Sequence, residues 1–320
     1  MKKLVVLAVL ALAGLAAGLW FIQGWSAAGP AAKPTPVVIA AGSSMVKAAR
    51  TLEQAGVIGS AERFLFQAKL FGGGTIKAGE YEFPARASHS QVLAILQSGK
   101  GLQRMVTVPE GMPSVLVHER LMRAPALTGE VPVPEEGSIL PDSYSYERGE
   151  SRAAVLGRMQ AAMTKTLAEL WASRGPNTVV KSPREAVILA SIVEKETGKA
   201  AERPTIAGVY SNRVRIGMKL DADPTVIYPI TKGRPLGRRI LLSELRANNG
   251  YNTYAMAGLP AGPIANPGKE SIAAVLNPGQ TKALYFVADG TGGHIFADSL
   301  AEHNSNVQKW YAIRRARGEM

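Results

Sequence analysis

Nineteen uncharged residues, Leu4 to Ile22, stand behind Lys2 and Lys3 and ahead of everything else in the chain. At about 1.5 Å of rise per residue, a helix of that length covers roughly the hydrocarbon core of a bilayer. The run therefore predicts a tail (1–3), a transmembrane helix (4–22) and a remainder that must fold without it. Two lysines before the run, and no cation after it until Lys33, predict a cytoplasmic N-terminus with everything downstream exported. Trp20 and Trp25 fall where the far interface would be. A cleaved signal peptide is the competing reading, because Ser26-Ala27-Ala28 loosely fits a small-x-small site, but the run exceeds the roughly 7–15 residues of a usual h-region.

Charge and side-chain inventory then exclude whole classes of chemistry. The 37 Lys and Arg against 25 Asp and Glu leave a formal net charge of +12, which calls for an anionic neighbour. Export makes nucleic acid an unsuitable one, leaving acidic lipid or a polyanionic polymer. The chain has no cysteine, so disulfides, thiolate nucleophiles and Cys-based zinc sites are excluded. Its four histidines, His89, His118, His294 and His303, form no HExxH or HxH pair, and neither a metal nor another cofactor is expected.

After the apolar run, residues 23–36 are rich in Pro and Ala and read as an extended linker, with folded structure beginning near Val37. Strand-like Val37-Val38-Ile39, a helical stripe of Val46, Ala49 and Leu52, strand-like 79–83 and a second stripe of Val92, Ile95 and Leu96 predict a small α+β module over 37–101. A second α+β unit runs from 105 to 318. Its helices are marked by a stripe from Val155 to Trp171, by Ile206, Val209 and Tyr210 within 203–215, and by a capping box at Ser299-Leu300-Ala301-Glu302. That box opens a last helix on which Val307, Trp310 and Tyr311 share a face. His303 falls inside this helix and reads as a surface residue. Residues 217–298 turn to Gly, Pro and Asn, the pattern of short strands and long loops.

One helix carries an oddly placed carboxylate. Ser182-Pro183-Arg184-Glu185 is a helix start with Ser as N-cap, Pro at the first position and Glu at the third to complete a capping box with Ser182, and Gly198 supplies the stop. Leu189, Ile192 and Val193 share its inward face, and Glu196, seven residues after Leu189, returns to within about 20° of it. Glu194 points almost the opposite way and reads as a surface residue able at most to support helix ends. On the inward stripe and in the last turn, both desolvation and the helix dipole raise the Glu196 pKa. A carboxylic acid kept protonated near neutrality is what cleavage of a glycosidic bond requires. A solvated boundary residue is the plainer reading of the same position.

Several segments carry a resemblance. Ser191-Ile192-Val193-Glu194-Lys195-Glu196-Thr197, Asn212-Arg213, Ile216-Gly217-Met218 and Asp223-Pro224-Thr225-Val226-Ile227-Tyr228 resemble the membrane-bound endolytic murein transglycosylase family. So do Tyr251-Asn252-Thr253-Tyr254, Gly258-Leu259-Pro260, Gly262-Pro263-Ile264, Asn266-Pro267-Gly268, the stretch 285–290 and Gly293-His294-Ile295-Phe296. They fall in the family's order over about residues 185–310. The resemblance implies a single-pass protein of the cell inner membrane, a small LysM-like module and a lysozyme-like α+β catalytic domain in the periplasm. It implies one essential glutamate, which carries over to Glu196.

The implied reaction is lytic: the MurNAc-β-1,4-GlcNAc bond of nascent peptidoglycan strands is broken with formation of a 1,6-anhydro ring, ending strand elongation. Asp223, Thr225, Tyr228, Tyr251, Asn252, Tyr254, Asn266 and His294 are the candidate substrate-binding residues; each also has a structural reading as a turn, a packed ring or a buried polar group. The partners it implies are glycan strands, the inner membrane and peptidoglycan synthases. Basic stretches at 232–239 and 314–317 could meet stem-peptide carboxylates or acidic headgroups. Two rival functions stay open at this point: a muramidase with the same glutamate and a water nucleophile, and a non-catalytic wall-binding scaffold.

Overall fold

The computed structural model describes Leu12, Gly14, Gly18 and residues 21–319. The tail 1–3 and most of the 4–22 span lie outside the described residues. Among those described, no helix is long and apolar enough to cross a membrane. The chain divides into two compact units, one holding the residues up to Arg104 together with Ser145–Gly149, the other Met105–Tyr144 and Glu150 onward.

The first unit is built on strand β1 (Thr35–Ile39), helices α1 (Met45–Gln54) and α2 (Ala61–Phe71), strand β2 (Gly79–Phe83) and helix α3 (His89–Ser98). The strands pair antiparallel with Val37 opposite Tyr81. Alternation sends Val37, Ile39, Tyr81 and Phe83 into a core shared with Leu52, Phe64, Val92 and Leu96. Serine caps open all three helices, Ser44, Ser60 and Ser88, and Gly99 ends the third in the left-handed conformation. Helix α2 was not marked by its sequence, because only Ala61, Phe64 and Ala68 of its apolar residues are buried while Phe66 and Leu70 face outward. The segment 23–36 is no free linker. Trp25 packs on Phe71 with ring centroids 5.7 Å apart, the Gly29 N–H donates to the Arg86 carbonyl, and the Arg86 N–H donates to that of Ala31. Backbone bonding of this kind anchors a Pro/Ala segment that has no periodicity of its own.

Strand β3 (Arg104–Thr107) pairs with β4 (Ser143–Tyr146), and the second unit contains α4 (Ser114–Arg123), α5 (Arg152–Ala172) and α6 (Pro183–Glu196). A 3₁₀ turn leads into α7 (Arg203–Arg215), followed by α8 (Asp223–Thr231), α9 (Leu242–Leu245) and α10 (Lys269–Leu276). The β5 (Tyr285–Ala288) and β6 (His294–Ala297) hairpin and α11 (Leu300–Ala316) close it. Helix α6 is the axis: every residue from Ala186 to Val193 is buried, against α7, α8, α10 and α5. A helix apolar on all sides is a core helix, and its ends are where it meets solvent or a cavity.

Local differences from the sequence reading have physical causes. Ser182 accepts from the Glu185 N–H as expected, but the Glu185 carboxylate reaches back one residue further, to the Lys181 N–H at 2.6 Å. The α6 stop comes at Thr197, which is extended, rather than at Gly198. Helix α10 interrupts the supposed loop region, burying Ile272, Val275 and Leu276. In α11 Tyr311 faces solvent, and the inward side runs through His303, Asn306, Val307 and Trp310, the first of these at the expense of its expected surface position.

Candidate active site

Helix α6 spends its last turn delivering Glu196 to a cavity of about 490 Å³. Tyr210 and Arg213 of α7, Leu220, Asp221 and Asp223 before and at the start of α8, Tyr254, the β5 residues Tyr285 and Phe286, and Leu300, His303 and Asn304 of α11 complete the lining. Burial pushes the Glu196 carboxyl up to about 7, against an ordinary value of 4.5; the charge of Asp223 adds to the rise, while a hydrogen bond from the Tyr210 hydroxyl and the charge of Arg213 oppose it. An acid poised there is half protonated at neutrality, the condition for giving up a proton and taking one back in a single turnover.

The groups around it are fixed. Arg213 donates from Nε to the Leu284 carbonyl and from Nη1 to that of Leu220, both at 2.6 Å, and its guanidinium lies 5.5 Å from the Tyr285 ring centroid. Held by these carbonyls, it acts on Glu196 through its charge, which favours the ionised carboxyl. Tyr254 donates its hydroxyl to Asp223 Oδ1 at 2.7 Å, and burial together with that neighbour raises the phenol's pKa, so it remains a donor. Asp221, left-handed at φ 48°, sits 3.9 Å from Arg213. Tyr210 is enclosed, edge-on to Phe286 at 5.8 Å.

Of the candidates named from sequence, Glu196, Asp223 and Tyr254 share this cavity and the others do not. Thr225 is fully buried, bonded to Thr253 Oγ1 at 2.9 Å and to the Ala222 carbonyl, and locks the start of α8. Asn252 donates its amide to the carbonyls of Glu244, Leu245 and Ala247 and accepts from the Tyr254 N–H, so it shapes the loop that presents Tyr254. Asn266 is equally enclosed, accepting from the Ile139 N–H and donating to the Met112 carbonyl. His294 binds Glu202 twice, through its backbone N–H at 3.0 Å and Nδ1 at 2.8 Å. Tyr228 and Tyr251 pack on each other at 5.1 Å, and Tyr228 lines a separate cavity of about 290 Å³ with Lys195 and Arg234.

Glu194 is not a surface residue. Its side chain is 4% exposed, it faces Arg203 at 3.4 Å and it accepts the Gly268 N–H at 2.9 Å, which anchors the start of α10. Two further carboxyls have pKa values raised by burial, Asp221 within the cavity and Glu136 outside it, and Glu136 went unseen in the sequence. Burial lifts it, and its Oε1 accepts from the Ser114 N–H and Oγ and from Asn266, away from the Glu196 cavity, which marks it as a structural acid. Arg213, Tyr210 and His303 were missed as cavity residues because they come from helices whose sequence advertises only packing; the i, i+4 step from His303 to Val307 was the available signal for the last of them.

Three comparisons bear on this arrangement. The model of the YceG-like family matches residues 37–309. An endolytic murein transglycosylase of Bacillus subtilis (strain 168) is 28% identical over 330 residues, covering 92% of this chain and 91% of that one. One of Streptococcus pneumoniae serotype 2 (strain D39) is also 28% identical, over 86% of this chain, which spans 58% of the pneumococcal protein's length. A crystal structure of a yceG-like protein from Listeria monocytogenes superposes with a TM-score of 0.53 at 28% identity, covering 86% of this chain and all of the other. With the family's model matched along most of its length, the chain belongs to the YceG-like family.

Proposed function

We propose that the protein is a lytic transglycosylase of peptidoglycan in which Glu196 is both the acid and the base. The observation that carries this reading is a carboxyl with a pKa of about 7 at the wall of a cavity of about 490 Å³. Protonated Glu196 gives its hydrogen to the oxygen bridging MurNAc and GlcNAc as the C1–O bond breaks. Positive charge spreads over C1 and the ring oxygen, and the carboxylates of Asp223 and Asp221 supply the compensating field across the cavity. The C6 hydroxyl of the same MurNAc then attacks C1 and returns its proton to Glu196. The strand ends in a 1,6-anhydro ring, no water is consumed and the acid is regenerated.

An internal nucleophile has high effective molarity, so a second carboxylate is not needed to form a covalent intermediate. The Tyr254 hydroxyl, donating to Asp223, holds that carboxylate in place as a positioning group. Names of the relatives, endolytic murein transglycosylases, support cleavage within strands. For location, the uncharged run 4–22 behind two lysines supports an anchored protein with its folded units on the periplasmic side, acting on new strands near the bilayer beside a synthase. The strand–helix–helix–strand order of the first unit supports its reading as a LysM-like module.

The deciding experiment incubates the full chain in detergent with uncrosslinked nascent strands and weighs the products. Anhydro ends, one water lighter than reducing ends, are expected, and E196Q should bind strands while cutting them at least about a hundredfold more slowly. Reducing ends would make the enzyme a muramidase, and an E196Q that cuts normally would sink the assignment of the acid.

A further inference from the structure

His303 projects from the first turns of α11 into the Glu196 cavity, and its surroundings restrict what it can do there. Its ring stacks on Tyr285, 5.2 Å between centroids and 24° between planes. Its Nδ1 is shut off from solvent with no hydrogen-bond partner among the described residues. An orphaned buried N–H is rarer and costlier than an orphaned lone pair, so the proton belongs on the other nitrogen. Burial and the charge of Arg213 lower its pKa and keep the ring neutral at pH 7. The group presented to the cavity is thus an Nε2–H, a neutral donor on a ring that stacking holds still.

Leu300 stands three residues earlier on the same helix, on the same side, and is exposed to the same cavity. An apolar surface beside a neutral donor matches an acetamido group, whose methyl needs the first and whose carbonyl oxygen accepts from the second. A hydroxyl would leave Leu300 without a purpose, and a carboxylate would favour a charged donor. We propose that His303, with Leu300, is the specificity-determining pair that recognises an N-acetyl group of the bound glycan by a hydrogen bond from Nε2–H to its carbonyl oxygen. The proposal rests on the reading of this cavity as the glycan site and adds to it a reason for preferring acetylated sugars.

The test uses the full chain in detergent with two strand preparations, one N-acetylated and one chemically de-N-acetylated. Wild type should cut the acetylated strand with the higher kcat/KM. His303→Phe keeps a ring against Tyr285 and removes the donor; it should lose about tenfold in kcat/KM on acetylated strands, mostly through KM, and under about twofold on de-N-acetylated ones. His303→Gln restores a donor and should recover part of that loss. Equal losses on both strands, or none on either, would overturn the role of His303 while leaving the lyase reading intact; a wild type that cuts neither strand would overturn both.

As a check that leaves His303 in place, ¹⁵N spectra of the histidine rings are recorded in E196Q at pH 7, with and without acetylated strands. They should show the Nε2–H form and a shift of that nitrogen on adding glycan. Glycan binding with no change at His303 would also overturn the inference.

Discussion

Glu196 and Glu194 lie two residues apart, and their fates show how far a single position on a helix decides chemistry. The first faces a cavity and is kept near its protonation midpoint by burial; the second is spent on Arg203 and the start of α10. Because the folded Glu196 titrates near 7 and the free side chain near 4.5, the folded state keeps a proton that the unfolded chain has already lost. Stability therefore falls as pH rises from about 4.5 to 7 and stays low above it, by about 3 kcal/mol in all. E196Q carries no such penalty. In urea titrations it should be more stable than wild type by about 1 kcal/mol at pH 5 and by about 3 kcal/mol at pH 8; a gain that does not grow with pH would mean that the carboxyl is not so poised. Cleavage by wild type should fall on the alkaline side with an apparent pKa near 7, read from kcat/KM on strands between pH 5 and 9, since only the protonated acid starts the reaction.

Elements locate these residues through packing that sequence shows unevenly. The inward placement of Glu196 was legible because α6 has a cap, a proline at its first position and a regular stripe, all local signals. The wall opposite was not. Arg213 and Tyr210 share α7 with Ile206 and Val209, and periodicity alone cannot tell a buried tyrosine from one at a cavity wall. Asn252, Asn266 and Thr225 resemble loop residues free to bind sugar, but they are enclosed, because loops with few apolar side chains need polar ones to bond their backbones. Gly208 shows the same dependence on distant chain: a Cβ there would come 2.4 Å from the Gly279 carbonyl oxygen and 2.9 Å from Thr281 Cγ2. Alanine improves helix propensity by about 1 kcal/mol, yet Gly208→Ala should lower stability by about 2 kcal/mol, measured as a fall in Tm, because the 279–281 backbone cannot retreat without moving α7. Glu194→Ala should cost about 3 kcal/mol in the same measurement, since it leaves the buried Arg203 charge with only Glu110 and the Gly268 N–H without an acceptor. A Tm unchanged in either variant would contradict the packing described.

At the scale of the whole molecule, two cores that share no residue sit in two units, and the charge is carried over both. Composition alone called for an anionic neighbour but could not name it; a peptidoglycan strand, with carboxylates on its stem peptides, supplies one. Lys195 and Arg234 beside the smaller cavity, and Lys232 near the Tyr228 ring at 5.8 Å, put part of that charge close to the end of α6. Surface charges of this kind act over about 8 Å at physiological ionic strength and about 3 Å at 1 M, whereas the Glu196 carboxyl is held up chiefly by its own burial, which salt does not screen. Binding and chemistry should therefore separate. Raising NaCl from 50 mM to 500 mM should increase KM for peptide-bearing strands several-fold and leave kcat within about twofold, measured at pH 6 with the full chain in detergent. If kcat falls and KM stays level, the excess of lysine and arginine does not serve substrate capture, and the electrostatics of the cavity itself must be open to the solvent.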